Sequence, residues 1–213
     1  MVQFQGAIQY FLNNQADFWQ AFQVHMTLVS TAMGISLAIG LPLGIWIAHR
    51  THLAQVVINL FNAFRVIPSL AILFLALPYL GLGFWPALVA LTVLAFPPIL
   101  INTYAGLRGV EASVIEAALG MGMSPLQVTR QVEIPLAIPA VVTGIRVAAV
   151  EVISSATLAA FIGGGGLGNF VTRGFALYDV SIMLVGAIPV ALLALSSEMV
   201  WAVFLRLYRV QTH

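Results

Sequence analysis

Apolar residues run in five long stretches along the chain, and short polar segments separate them. The stretches cover about residues 24–48, 54–80, 84–107, 136–162 and 180–205. A membrane-spanning α-helix needs about 20 consecutive apolar residues, and each run is at least that long. Lipid offers no partner to backbone polar groups, so helices and closed barrels are the structures that cross it. The pattern predicts an all-α integral membrane protein with five transmembrane helices.

We expect interruptions in two of these runs, the second and the third. Three positions interrupt the second run: Arg65, Pro68 and Pro78. Pro97 and Pro98 lie near the middle of the third, where we expect a kink or a break because proline donates no backbone hydrogen bond. In the first run, Gly40 and Gly44 form a small-xxx-small pair, which lets another helix come close. The general abundance of glycine in membrane helices explains this pair equally well.

The composition agrees with a membrane protein. Apolar residues make up 61% and charged residues 7% of the chain, against about 45–50% and about 25% in soluble domains. The absence of cysteine excludes disulfides and thiolate metal sites. We expect residues 1–20 to form an interfacial or weakly amphipathic helix outside the cytoplasm, with a disordered tail as the alternative. Residues 21–213 then form one transmembrane domain, and no nucleic-acid partner is expected.

The distribution of arginine orients the chain. All eight cations are arginine, and the cytoplasmic loops of membrane proteins carry an excess of positive charge. If the polar segment after the third run is inside, five arginines face the cytoplasm: Arg50, Arg108, Arg130, Arg206 and Arg209. Arg173, which Asp179 balances, falls outside. We therefore expect the N-terminus outside, the C-terminus in the cytoplasm, and a cytoplasmic loop between helices three and four.

The longest polar segment, residues 116–135, has clear local signals. Residues 116–121 favour a helix, and Gly122 can end it by taking a positive φ. Ser124 and Pro125 then supply an N-cap and a first-turn proline, and Gln127 stands at the capping-box spacing. We expect Pro135 to stop this second short helix and to bias Ile134 toward an extended conformation. The segment is thus predicted to be a helical hairpin protruding from one face of the bundle.

Motifs for catalysis and nucleotide binding are missing from the sequence. No lysine is present, so the chain cannot form a P-loop for ATP. Neither His-Glu-x-x-His nor Gly-x-Ser-x-Gly is present. The four histidines do not stand at a ligand spacing with carboxylates: His25, His49, His52 and His213. His49 and His52 are three residues apart, but a solvated pair at the membrane edge is favoured over a metal site. We expect no enzyme activity, no metal and no cofactor in this chain.

A glycine-rich segment, residues 163–168 (GGGGLG), contains a formal G-x-G-x-x-G pattern. That pattern binds dinucleotides only within a βαβ unit, and here it follows a membrane helix. Irregular backbone at membrane depth persists only where protein or a water-filled cavity satisfies it. Candidate pathway or gate residues are therefore Gly163, Gly165, Gly166 and Gly168, although a plain surface loop remains equally open.

Three ionisable residues lie inside or close to apolar runs: Arg65, Arg146 and Glu151. A charge at the bilayer centre costs about 2.5–3.5 kcal/mol on insertion scales. Arg146 can extend its head group toward the membrane edge, whereas Glu151 is too deep. Glu151 is expected to pair with Arg65 or Arg146, to bond Ser154 or Ser155, or to lie beside a cationic substrate. Arg65 and Glu151 join the candidate pathway residues.

The polar segment resembles the EAA loop of binding-protein-dependent (type I) ABC importer permeases. The family pattern is E-A-A-x₃-G-x₉-I-x-L-P, and this chain has Glu116-Ala117-Ala118, Gly122 and Val132-Glu133-Ile134-Pro135 in register. Further segments resemble the osmoprotectant branch, which carries glycine betaine, carnitine and choline: residues 64–69, 102–107, 144–146, 156–163 and 165–168. Glu151 departs from that branch, where we expect an uncharged residue.

The resemblance implies an importer with separable parts in the bacterial plasma (inner) membrane. Two permease chains, identical or similar, would form the pathway, and two ATPase subunits beneath them would bind ATP and Mg²⁺. An external substrate-binding protein would deliver the solute. The residues that couple to the ATPase would be Glu116, Ala117, Ala118, Gly122, Met123, Ser124, Pro125 and Pro135.

Other functions remain open at this point. The chain could be a permease for another small substrate, such as an amino acid or a thiol-betaine. An intramembrane enzyme lacks its catalytic residues here, and a stand-alone channel has no use for a capped cytoplasmic hairpin. The sequence alone determines neither the exact substrate nor whether the two permease chains are identical.

Overall fold

The computed structural model describes residues 2–211, apart from the side chains of residues 51, 52 and 209–211. Its α-helices are α1 Val2–Asn13, α2 Gln15–Ala48, α3 Thr51–Phe64, α4 Ser69–Leu80, α5 Phe84–Arg108, α6 Ala112–Gly120, α7 Pro125–Val128, α8 Ile134–Ser155, α9 Gly168–Ala176 and α10 Val180–Gln211. A π-helical turn, Thr129–Glu133, joins α7 to α8, and a 3-10 turn, Leu158–Ile162, precedes α9. The predictions for His213 and for the side chains of His52 and Arg209 lie outside the described residues.

Four helical segments are long and apolar enough to cross a membrane: α2, α5, the continuous helix Pro125–Ser155 and α10. The second apolar run is broken between α3 and α4, which meet at an angle of 95°. Counting this bent pair as one span gives five among the described residues, by length and composition. The all-helical class is confirmed for residues 2–211, whereas five spans and their orientation stay predictions.

Helix α5 lies at the centre of the bundle, between α2 and α8. Glycines on those two helices make this close packing possible. A Cβ at Gly44 would lie 2.7 Å from the Cβ of Thr103, and one at Gly144 would lie 2.6 Å from the carbonyl oxygen of Pro98. Gly40 faces Ile99 in the same way, at 3.0 Å. The small-xxx-small interpretation of Gly40 and Gly44 is therefore confirmed.

The break expected at Pro97 and Pro98 is wrong, because α5 continues without interruption from Phe84 to Arg108, and the alternative of a kink stays a prediction. Both prolines are buried. The carbonyl of Pro98 accepts a hydrogen bond from the Asn102 side chain at 2.8 Å. Enclosure by neighbouring helices on several sides keeps this segment helical despite the lost backbone donors.

Residues 2–13 and 15–20 are helical. Helix α1 packs along α10, where Ala7 is buried and Gly6 faces Ser181. Helix α2 begins at Gln15, nine residues before the first apolar run. The disordered alternative is thus wrong for residues 2–20, and the interfacial position stays a prediction.

Candidate functional site

The EAA hairpin, residues 112–135, begins with α6, which ends as the sequence predicts. Gly122 has a φ of 88°. Its N–H donates to the Leu119 carbonyl at 2.9 Å, and the N–H of Met123 donates to the Ala118 carbonyl at 3.2 Å. These two bonds define a Schellman motif, which satisfies carbonyls that the helix end would otherwise leave unpaired.

The second half of the hairpin starts with a complete capping box. The backbone N–H of Gln127 donates to the Ser124 hydroxyl at 3.4 Å, and the backbone N–H of Ser124 donates to Gln127 Oε1 at 2.8 Å. Pro125 occupies the first turn of α7. The sequence prediction of a cap, a proline and a short helix is confirmed.

The predicted stop at Pro135 is wrong. The chain passes from α7 through the π-helical turn into α8 without a break, and Ile134 is α-helical rather than extended, with φ −61° and ψ −50°. The N–H of Ile134 donates to the carbonyl of Thr129, five residues back. In a regular α-helix, a proline has no N–H to donate to the carbonyl four residues back, and its ring clashes with that carbonyl. The wider π-helical turn before Pro135 accommodates the ring. The Pro135 carbonyl accepts a hydrogen bond from Tyr208 at 2.9 Å.

The hairpin presents a mixed surface. Glu116 and Ala117 are exposed, while Ala118 turns inward and is 2% exposed. Three large apolar side chains near the turn project outward, and we did not single them out from the sequence: Leu119, Met121 and Leu126, of which Met121 is 78% exposed. Their position beside the turn predicted at Gly122 to Pro125 could have identified them from the sequence. An apolar patch with one acidic neighbour is typical of a surface that binds another protein.

One histidine meets a carboxylate that lies far away in sequence. His49 Nε2 lies 3.0 Å from Glu133 Oε2, at the junction of α2 and the π-helical turn. The sequence spacing gave no indication of this contact. The residues described by the structure contain no group of three or more potential metal ligands.

The glycine-rich loop, residues 163–168, is a tight irregular turn held by its surroundings. Gly163, Gly165 and Gly166 have positive φ. The fourth apolar run leaves its helix early, since α8 ends at Ser155 and the 3-10 turn fills residues 158–162. Gly166 packs on fully buried His25, and the N–H of Gly83 donates to the Ile162 carbonyl at 2.8 Å.

A cleft of about 480 Å³ opens beside this loop. Its walls combine glycine backbone, aromatic rings and polar side chains, among them Gly164, Gly165, Gly166, Asp17, Phe84, Asn169 and Arg173. Asp17 and Arg173 bring opposite charges to the cleft and are not ion-paired in the described residues. The loop is therefore part of a cavity wall rather than a free surface turn.

A second groove, of about 540 Å³, lies between α8 and α10. Arg146 in this groove pairs with Glu198, a charge in the fifth apolar run that we did not single out. The same search for charges inside apolar runs could have found it. Glu151 lines the groove but forms no ion pair or hydrogen bond among the described residues. The expected Glu151 pairing with Arg146 is wrong.

The candidate pathway residues do not share one cavity. Glu151 lines the groove between α8 and α10, whereas Gly165 and Gly166 line the cleft beside α2 and α9. Gly163 and Gly168 flank that cleft without lining it. Arg65 is exposed at the break between α3 and α4.

Comparisons with known proteins decide the family. Residues 40–210 match the family described as binding-protein-dependent transport system inner membrane component. The chain belongs to that family. It is a multi-pass inner-membrane permease of the ABC importer class and not an enzyme, and the resemblance seen in the sequence is confirmed.

Individual relatives support the same assignment. The carnitine transport permease protein OpuCB of Listeria monocytogenes is 43% identical over 84% of this chain and 81% of its own length. The choline transport system permease protein OpuBB of Bacillus subtilis is 39% identical over 92% and 90%. Among solved structures, the inward-facing MetNI methionine ABC transporter has a TM-score of 0.81 at 22% identity, covering 90% of this chain and 95% of that one. That last likeness concerns the fold alone.

Proposed function

We propose that this permease forms the path for a compatible solute with a quaternary ammonium group, such as glycine betaine, choline or carnitine. The names of the relatives support this solute class. ATP and Mg²⁺ would be bound by a separate ATPase, and an external binding protein would deliver the solute. The pathway would form between two permease chains, identical or similar.

The EAA hairpin is the observation that carries the coupling role. Its central turn is fixed by the Schellman motif at the end of α6 and by the capping box at the start of α7, so it is a preformed structure rather than a loop that folds on contact. Met121 and Leu126 offer apolar contacts, and Glu116 offers a carboxylate for a basic group on the ATPase. ATP binding would close the ATPase dimer and draw the two hairpins together, turning the pathway outward. The ATPase can shift the permease only through contacts that differ between these states.

Two substitutions test the coupling role. Gly122→Pro prevents the positive φ, and Glu116→Lys reverses the charge on the exposed face, so both should abolish uptake of radiolabelled betaine while membrane insertion stays intact. The matched control is Glu111→Lys, which makes the same charge reversal at the start of α6. Unchanged uptake in the Gly122→Pro and Glu116→Lys variants, with the ATPase still bound, would refute the role of the hairpin.

The solute is tested separately. A strain that lacks its own osmoprotectant importers, supplied with the complete transporter, should accumulate betaine, choline or carnitine in high-salt medium. Accumulation of an amino acid instead would leave the coupling proposal standing and overturn the assignment of the solute.

A further inference from the structure

His49 lies at the end of α2, in the wall between two grooves. One groove is bordered by Leu107, Arg108, Ile115 and Glu133, and the other by Trp46, Pro125, Leu126, Thr129 and Arg130. The second groove separates α2 from α7, so these helices do not pack on each other there. Among the described residues, His49 supplies the hydrogen bonds that cross from α2 to the EAA hairpin.

Four contacts define the cluster. His49 Nδ1 lies 3.0 Å from the Ile45 carbonyl, and His49 Nε2 lies 3.0 Å from Glu133 Oε2. Thr129 Oγ1 lies 2.7 Å from the same carboxylate oxygen and 3.3 Å from His49 Nε2. Thr129 and Glu133 are the first and last residues of the π-helical turn, so the cluster holds both ends of that turn.

The chemistry of these atoms limits where the protons can be. The Ile45 carbonyl can only accept, so Nδ1 of His49 carries a proton. Thr129 has a single hydroxyl proton, which it donates to the carboxylate. A proton on His49 Nε2 then serves both of its remaining contacts, with Glu133 Oε2 and with Thr129 Oγ1. The network is complete when His49 is an imidazolium and Glu133 a carboxylate, a charge-assisted arrangement about twice as strong as a neutral one.

Burial makes this arrangement costly to open. Glu133 is 8% exposed, whereas the His49 side chain is 45% exposed. The cost of opening therefore comes mainly from the carboxylate, which bears an uncompensated desolvation cost when it loses its partner. The π-helical turn is a rare backbone state that concentrates at functional sites. These contacts therefore join α2 to the π-helical turn, which interrupts the helix that runs from the hairpin into the bundle.

We propose that His49, Glu133 and Thr129 form a tie through which movement of the EAA hairpin is transmitted to α2. This inference rests on the proposed coupling role of the hairpin. Its residues are positioning residues, since none of them is placed against solute or nucleotide. Loss of the tie should leave the ATPase bound and hydrolysing ATP while less solute is imported for each ATP consumed.

The test uses the complete transporter in proteoliposomes, with solute imported per ATP hydrolysed as the readout. Glu133→Gln keeps the size of the side chain but removes its charge, and His49→Phe keeps a ring without donors. Each should lower the ratio at least fivefold, the lower end of coupling between sites. The double variant should be no worse than the worse single one, because both remove the same contact. His49→Arg, which restores a cationic donor, should recover at least half of the ratio.

Controls separate this inference from the coupling role itself. Glu111→Gln makes the same amide substitution one residue before the hairpin, away from α2, and should leave the ratio unchanged. Unaltered ratios in Glu133→Gln and His49→Phe, additive losses in the double variant, or loss of the bound ATPase would each overturn the tie. If the parent chain retains no ATPase, the coupling role fails instead. Thr129→Val, which removes only a hydroxyl, should give a smaller loss of the same kind.

Discussion

The EAA hairpin and the glycine-rich loop are both tight turns between helices, yet they use glycine for different reasons. Gly122 in the hairpin has a positive φ, and a Cβ there would meet no atom within 4 Å. In the glycine-rich loop, a Cβ at Gly164 would lie 2.7 Å from Ala87, and one at Gly168 would collide with the Thr157 carbonyl. The hairpin needs glycine for its positive φ, whereas the loop also needs glycine because neighbouring atoms leave no room for a Cβ.

The difference matches what each region is suited to do. The turn of the hairpin, residues 117–127, is held by bonds between neighbours in sequence, so it can move as a preformed unit against a partner. The glycine-rich loop is fixed by α2, α5 and the 3-10 turn around it, and its shape changes only if those elements move. The hairpin is suited to follow the movement of a bound partner, whereas the shape of the glycine-rich loop depends on the arrangement of the helices around it.

Gly168→Ala should have the largest effect on stability, because its added methyl group meets backbone rather than a flexible side chain. Overpacking of this kind costs about 1–3 kcal/mol, occasionally more, and we expect a cost at or above the upper end. The measurement is thermal unfolding of the purified protein in detergent. Gly34→Ala is the matched control, since Gly34 is helical with no atom within 4 Å of the added Cβ, and its effect should stay within about 1 kcal/mol. Equal effects at the two sites would show that space is not the requirement in the loop.

Gly122→Ala should have an intermediate effect confined to the hairpin. A left-handed conformation costs an alanine about 1–2 kcal/mol, which corresponds to a roughly 5–30-fold larger population of the locally open state. Hydrogen exchange of amides 117–128 measures this change. Gly120→Ala, two residues earlier with neither positive φ nor a close neighbour, should leave exchange nearly unchanged. A larger destabilisation of the whole bundle by Gly122→Ala would contradict the local character of the hairpin.

Ser124→Ala should have the smallest effect of the three. Removal of an N-cap side chain costs about 1 kcal/mol, and it affects the Gln127 amide, which bonds the Ser124 hydroxyl. Exchange of that amide should rise about fivefold, while the midpoint of thermal unfolding should barely move. Ser113→Ala is the control, because that hydroxyl bonds only the exposed Glu111 side chain. An unchanged Gln127 amide would mean that the capping box contributes nothing to the hairpin.

The sequence by itself determined the membrane class, the approximate extent of the apolar helices and the local form of the hairpin. Hydrophobic runs, an N-cap serine and a glycine at a helix end act over a few residues, so their meaning does not depend on the rest of the fold. The errors at Pro97, Pro98 and Pro135 have one cause. We applied the local rule for proline where neighbouring helices or a π-helical turn accommodate its missing donor.

Only the tertiary structure decided which charged and polar side chains meet. Arg146 pairs with Glu198 rather than Glu151, and His49 reaches Glu133, because helices distant in sequence lie side by side. Those contacts depend on helix rotation and packing, which glycines such as Gly44 set through close approach. A hydropathy pattern fixes that a helix is buried in a membrane, but it does not fix which neighbour each face of the helix contacts.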